Sequence, residues 1–451
     1  MRHEVHNEEM FRIKREAVYD YIMVHKWPYW ISALTVGLVA IGYARSVNLA
    51  ESLAHHLYSH SSEYLFVLSP ALFVASWAIV YFFAPEAKGS GIPQVMAAVE
   101  MMEKDENAPS ASKLLGIRIA IVKMISSLLV LVGGGAIGRE GPTLQISASI
   151  FYFASNRFKL FKKYINNEIW IMTGAAAGLA AAFNTPLGGL VYAIEELASQ
   201  HLNKFKTSLI AAVIIAGFSS QFISGPYLYL GYPPIKSINA TVFPLVILIS
   251  VACGILGALF GRILFELSRW KLQRFNSVKA MLSIAIFCGL ATAAVAVFID
   301  PRFMGSGKEL LLHMLFTEEA LDWHVPFLRF FAPILTYLAG GAGGIFAPSL
   351  AAGGSIGHLV ADYTISTHSN LFTLLGMIAF LTGVTRAPFT AFILVLEMTD
   401  RHSAIFPMML SAILANNSAK FFGQRSFYEL LKQSYLPEVP KASDSDLTQK
   451  S

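Results

Sequence analysis

Apolar stretches recur along this chain near residues 30–43, 65–83, 119–137, 170–183, 206–223, 243–265, 281–299, 327–338, 371–384 and 389–398, and several are too short to cross a bilayer. A spanning helix needs about 20 consecutive apolar residues. Many of these stretches are also cut by glycine or proline. Inside a membrane such breaks are tolerated only where the freed backbone groups meet protein or a polar cavity. With 55% hydrophobic and 14% charged residues over 451 positions, the chain needs lipid as its solvent. The pattern predicts an all-α membrane protein with many tilted and broken transmembrane helices that stop partway, as a transporter requires.

Charge narrows the reading further. A net charge of +5 leaves no electrostatic footprint for nucleic acid. Arg2, Arg12, Lys14, Arg15 and Lys26 precede the first apolar stretch, and Lys420, Arg425 and Lys432 follow the last. By the positive-inside rule both termini are expected in the cytoplasm, with an even number of crossings between them. The first residues lack the apolar core of a signal peptide, and Glu8 to His25 reads as an amphipathic surface helix. Cys253 and Cys288, both inside apolar stretches, indicate packing rather than a disulfide or a metal site. No His-Glu-x-x-His, Gly-x-Ser-x-Gly or paired-cysteine motif supports an enzyme or a cofactor.

The chain repeats itself. Thr185-Pro186-Leu-Gly-Gly-Leu-Val-Tyr-Ala-Ile-Glu195 matches Ala387-Pro388-Phe-Thr-Ala-Phe-Ile-Leu-Val-Leu-Glu397, 202 residues later. Gly138-Arg-Glu-Gly-Pro142 matches Gly344-Ile-Phe-Ala-Pro348 at an offset of 206, and Gly89-Ser90-Gly91 matches Gly305-Ser306-Gly307 at 216. Repeats in the same order and at similar offsets indicate two homologous halves, the arrangement by which transporters place a site at mid-membrane. The expected organisation is a cytoplasmic N-terminal helix over 1–28, one transmembrane repeat over 29–232, a second over 233–432, and a short cytoplasmic tail over 433–451. Residues 224–238, rich in glycine and proline, have the composition of the connection between halves. An odd number of crossings per half would invert one relative to the other.

Three of these motifs share a chemical shape. Gly89-Ser90-Gly91-Ile92-Pro93, Gly138-Arg139-Glu140-Gly141-Pro142 and Gly344-Ile345-Phe346-Ala347-Pro348 each place a glycine-bearing loop and a proline before an apolar run. Proline suits the first helical position, and the helix dipole adds about half a positive charge at that end. Each terminus therefore attracts anions. Several converging in a membrane would replace an anion's water without a buried full cation. Gly305-Ser-Gly-Lys308-Glu309 superficially resembles a phosphate loop, but Arg302 stands where the first glycine belongs and Glu309 where Ser or Thr should follow the lysine.

Ionisable residues supply the second signal, because inside a membrane they are costly and mark function. Arg139 and Glu140 lie in a glycine-rich loop, and Glu195 and Glu196 end the run Leu187 to Ile194. Neutral carboxyl groups are far cheaper to bury than carboxylates, which makes proton handling a natural role. Adjacent helical residues point about 100° apart, so one of Glu195 and Glu196 is expected to be structural. Glu397, the counterpart of Glu195, assigns that role to Glu195 and leaves Glu196 as the functional candidate.

In this order the motifs resemble the CLC family of chloride channels and chloride/proton antiporters, and the likeness extends to Leu396-Glu-Met-Thr-Asp400 and Ser426-Phe-Tyr428-Glu429. The resemblance, which covers residues 30–432, implies a fold of two inverted-repeat halves. It implies that Ser90 and Tyr428 offer hydroxyls to a central chloride, with the amides of Arg139, Glu140, Ile345 and Phe346 lining the adjoining sites. Glu140 resembles the gating glutamate, and Glu196 the internal proton glutamate that exchangers carry. The implied function is chloride/proton antiport, with a gated chloride channel lacking obligatory coupling as the alternative. Chloride and protons would be the transported ligands, no cofactor is implied, and a homodimer in the inner membrane of a prokaryote is expected. Gln94 and Met96 depart from the pattern, since relatives often have acidic residues there. The short segment after Tyr435 leads us to expect no paired regulatory domains.

Overall fold

The computed structural model describes residues 2–437, apart from 106–107, 159–165, 198–201, 226–227, 276, 318 and 365–366; side chains are described from Trp27 onward, save 202–206 and 224. The first half comprises α1 (Arg2–His60), α2 (Leu65–Phe83), α3 (Ile92–Lys104), α4 (Pro109–Leu114), α5 (Ile117–Val132), α6 (Glu140–Arg157), α7 (Asn167–Phe183), α8 (Pro186–Tyr192) and α9 (Leu202–Ser224). After an irregular connection through Tyr229 and Gly231 come α10 (Phe243–Arg274), α11 (Val278–Phe298), α12 (Lys308–Phe316), α13 (Val325–Ala339), α14 (Phe346–Tyr363), α15 (Ser369–Thr385), α16 (Pro388–Thr399), α17 (Ile405–Ala419) and α18 (Phe427–Lys432). Among the described residues β-structure is limited to two isolated bridges, Gly89 with Ala342 and Gly138 with Gly344.

Helix lengths follow the broken apolar pattern. Among the described residues five segments are long and apolar enough to cross a membrane: Trp27–His60, Ser62–Phe83, Pro109–Val132, Ala240–Arg274 and Val278–Phe298. Others that are apolar, among them Val325–Ala339, Ser369–Thr385 and Pro388–Thr399, are too short. α1 is continuous from Arg2 to His60 with Pro28 inside it. The amphipathic face expected over Glu8 to His25 lies among side chains outside the described residues.

The repeat seen in the sequence is also a repeat of conformation. Gly91 and Gly307, which precede α3 and α12, are both left-handed, at φ 99° and 87°. Asn184 and Arg386 end α7 and α15 at φ 57° and 63°, a left-handed stop that few residue types adopt. The halves meet about a pseudo-twofold axis. Gly138 and its own counterpart Gly344 exchange both backbone bonds, Gly138 N–H to Gly344 O at 2.7 Å and Gly344 N–H to Gly138 O at 2.9 Å. From this shared point α6 and α14 depart with their N-termini facing each other, the inverted arrangement.

A second reciprocal contact holds the halves together. The Glu195 carboxylate accepts from the amides of Phe389 (3.1 Å) and Thr390 (2.7 Å) and from the Thr390 hydroxyl (2.8 Å), at the start of α16. Glu397 does the same at the start of α8, accepting from Leu187 (3.0 Å) and Gly188 (2.6 Å). Each helix start lacks intrahelical acceptors and has a positive dipole end, so a carboxylate from the opposite half satisfies both needs. Glu195 is therefore structural, as its counterpart suggested. Hydrogen bonds to a charged group contribute about 1.5–3 kcal/mol each. Glu195→Ala is expected to lower the unfolding midpoint in detergent clearly; an unaltered midpoint would remove this role.

Candidate anion-binding site

The site is built from loops that only glycine permits. Gly89 and Gly91 flank Ser90 at φ 65° and 99°, turning the chain sharply into α3. The loop is pinned from several sides. Gly89 N–H donates to Gly341 O (3.0 Å), and Gly89 O accepts from Gly343 N–H (3.0 Å) and from the fully buried Lys123 Nζ (2.8 Å). Gln94 Nε2 donates to Lys88 O (2.7 Å) and Glu86 O (3.1 Å). A carboxylate at position 94 could not make these bonds, so the departure at Gln94 turns a side chain that elsewhere is often acidic into a clamp for the loop. Met96 is buried in the apolar core of the same helix.

The starts of α6 and α14 close around this loop. The amides of Glu140 and Gly141, and those of Phe346 and Ala347, precede the first intrahelical bonds, which are Thr143 N–H to Arg139 O and Ser349 N–H to Ile345 O. Pro142 and Pro348 occupy the third helical position rather than the first, where a missing donor is still harmless. A side chain on Gly141 would strike the Ser90 hydroxyl, and one on Gly138 would strike Oε2 of Glu140. Gly344 lies 3.1 Å from the Gly141 nitrogen, measured to the position a Cβ would take. The Glu140 carboxyl turns back beside its own amide and that of Ala347, occupying the space the two helix starts share. Arg139 directs its guanidinium away, to Ala44 O (3.1 Å) and Ala182 O (3.2 Å). Ile345 and Phe346 are buried, with Phe346 against Phe183 at a centroid separation of 6.0 Å.

Tyr428 arrives from the opposite end of the chain. A capping box, Glu429 N–H to Ser426 Oγ (3.0 Å) and Ser426 N–H to Glu429 Oε2 (3.3 Å), starts α18 and aims Tyr428 inward, where it is fully buried. Its hydroxyl lies beside that of Ser90, yet neither completes a well-formed hydrogen bond to any described group, and Glu140 Oε2 is likewise without a donor. Leaving a buried polar atom unsatisfied costs about 1–3 kcal/mol. Three such atoms beside two helix starts describe a seat for a small anion.

Two mouths flank the seat. On the Glu140 side stand Arg139, Glu51 and Lys308, and a cleft of ≈ 890 Å³ lined by Glu51, Gly305, Ser306 and Lys308 opens beyond them. Here Glu51 accepts from the Ser306 amide at 2.6 Å, so a carboxylate fills the loop that corresponds to the Ser90 loop. On the other side Glu196 lies among Glu195, Glu429 and Lys432, carried on a π-helical turn, Ala193–Leu197. Tyr192, immediately before that turn, is buried, and its hydroxyl also has no partner among the described residues. The structure thus brings Ser90, Glu140, Phe346 and Tyr428 to one place, with Arg139 and Ile345 as the residues that cap the two helices and Glu196 to one side. Sequence reasoning missed Lys123, Glu51 and Tyr192; an isolated polar residue within an apolar segment was the signal for Lys123. Asp300, Asp322 and His324 converge closely enough to suggest a metal, but the Arg302 guanidinium already binds both carboxylates.

Comparison with known proteins agrees with this geometry. The model of the family described as voltage gated chloride channel matches residues 71–420. The chain is 28% identical over 426 residues to the H(+)/Cl(-) exchange transporter ClcA of Citrobacter koseri, covering 88% of this chain and 85% of that one. The same protein of Salmonella arizonae is 28% identical over 428 residues, with the same coverage. Among solved structures, a slow cyanobacterial Cl-/H+ antiporter superposes with a TM-score of 0.78 at 26% identity, covering 91% of this chain and 98% of that one. A CLC-type fluoride/proton antiporter shares the fold at a TM-score of 0.76 and 21% identity, covering 92% and 98%.

Proposed function

Because this chain belongs to the voltage gated chloride channel family, we propose that it exchanges chloride for protons across a membrane, with Glu140 as the gate and Glu196 as the internal proton glutamate. The observation that carries this reading is the convergence of the unsatisfied Ser90, Tyr428 and Glu140 oxygens on the starts of α6 and α14. The amides of Glu140, Gly141, Phe346 and Ala347 supply partial positive charge there, so chloride is held without a full counter-charge that would trap it. A carboxylate at Glu140 competes for the same amides; once protonated, it loses most of its attraction to them and yields the place to chloride. One side chain therefore couples the two ions. Glu196 supports exchange over a passive channel, since a channel has no need of a second acid on the other face.

The rest of the assignment follows from the same reading. Every residue of the seat comes from one chain, which fits a homodimer with one complete pathway per subunit. The Glu196 mouth and both termini face the cytoplasm, in the inner membrane of a prokaryote. The two inverted halves occupy 29–232 and 233–432. Reconstitution in liposomes with simultaneous recording of chloride and proton movement tests the proposal: a chloride gradient should drive protons uphill in fixed proportion. Chloride flux with no proton movement would favour the channel alternative.

Tyr428 provides a separate check. Tyr428→Phe removes one donor among several and should be mild. Tyr428→Ala removes the wall of the seat as well, and by calorimetry chloride binding is expected to weaken about tenfold, or about 1.4 kcal/mol. Unchanged binding would take Tyr428 out of the site.

A further inference from the structure

We infer that Tyr192 is a positioning residue of the proton path, its hydroxyl holding water between Glu196 and the anion seat. The inference rests on the exchange reading above and concerns a residue which that mechanism leaves unused. Symmetry first singles it out. In α16 the positions 202 residues after Tyr192 and Glu196 are Leu394 and Met398, both fully buried. Repeat two is apolar at both places. Repeat one replaces both with polar groups, four residues apart, so they stand on the same side of the helix one turn from each other.

The backbone departs from symmetry at the same point. Repeat two runs as an unbroken α-helix through Glu397 to Thr399, whereas repeat one turns π-helical over Ala193–Leu197, directly after Tyr192 and including Glu196. Such turns re-aim side chains and recur at functional sites. Here Glu195 keeps its symmetric contact with α16, so the departure leaves the structural carboxylate in place and sets the orientation of Glu196.

The surroundings give the direction of the path. Tyr192 is 1% exposed, its buried hydroxyl has no partner among the described residues, and the ionisable groups that act on it are Glu196 and Tyr428. Tyr428 in turn is reached by Ser90, Glu140 and Glu196. Tyr192 is thus one helical turn from the internal acid and within electrostatic reach of the Tyr428 that walls the central seat. A phenol there accepts one hydrogen bond and donates one, which suits it to fix a water in line. The proton leaving the Glu196 carboxyl passes to that water while the water hands a proton onward toward Glu140. Tyr192 stays a neutral phenol throughout; Glu140 is neutralised, and the carboxylate left at Glu196 is reloaded with a proton from its own face.

Tyr192→Phe keeps the ring and removes only the hydroxyl, so the fold is retained. In liposomes with both ions recorded, proton transport by the variant should fall about 5- to 10-fold while chloride flux stays near wild type, raising the chloride-to-proton ratio. The wild-type unfolding midpoint should be retained. An unchanged ratio overturns the inference, as does an equal fall of both fluxes with a lowered midpoint, which would make the residue structural. Wild-type protein run in parallel separates the two levels: a wild type that moves chloride without protons defeats the exchange reading, whereas a coupled wild type with an equally coupled variant defeats only the role of Tyr192.

Discussion

Glu140→Gln is expected to abolish proton transport while chloride continues to flow. The reason lies in where this carboxyl sits. It turns back against Gly138, a position where any side chain would collide with it, beside its own amide and that of Ala347. On the proposed mechanism it competes, as a carboxylate, with chloride for helix starts that carry about half a positive charge each. The glutamine is close in shape, carries no charge and cannot pick up or release a proton. The competition that links the two ions then disappears, and chloride crosses down its gradient without regard to pH. Recording both ions from liposomes checks this directly. Full chloride-driven proton pumping by the variant would dismiss Glu140 as the gate.

Glu196→Gln should give the same loss of proton movement for a different reason. Glu196 lies away from the amides proposed to hold the anion, next to Lys432 and Glu429 on the opposite side of the seat. Chloride has no business there. Neutralising the residue removes the acid that loads protons from that face and leaves the Ser90–Tyr428 seat intact, so the variant should carry chloride at close to the normal rate. The contrast with its neighbour sharpens the test. Glu195 caps α16 and its removal should cost stability. If Glu196→Gln instead lost both fluxes together, with less folded protein, the two adjacent glutamates would share a structural role.

Much of this was legible in the chain before any coordinates. The motif pairs Pro186/Pro388, Pro142/Pro348 and Ser90/Ser306 gave the halves, and the same positions recur as matched left-handed turns and facing helix starts. The reasoning that made Glu195 structural worked because Glu397 had to have an equivalent task. Hydropathy failed for the helices that matter most. α6 and α14 carry Gly and Ser, with Thr and Gln in α6, because they follow polar loops and pack closely, and α3 and α12 are short and open or close on charged residues, so an apolar cut passes over all four. Lys123 and Tyr192 stayed hidden because only the fold shows which loop or acid each meets. Gln94 looked like a local electrostatic loss and is a hydrogen-bond clamp, which depends on carbonyls six and eight residues away turning toward it.

The most direct measurement is anomalous diffraction from crystals of the protein grown in bromide, which reports a heavy halide by position. The account predicts a peak between the Ser90 and Tyr428 hydroxyls and the starts of α6 and α14, joined by a second beyond it when Glu140 is replaced by Gln. Bromide sites found only elsewhere, with this pocket empty at saturating halide, would contradict it.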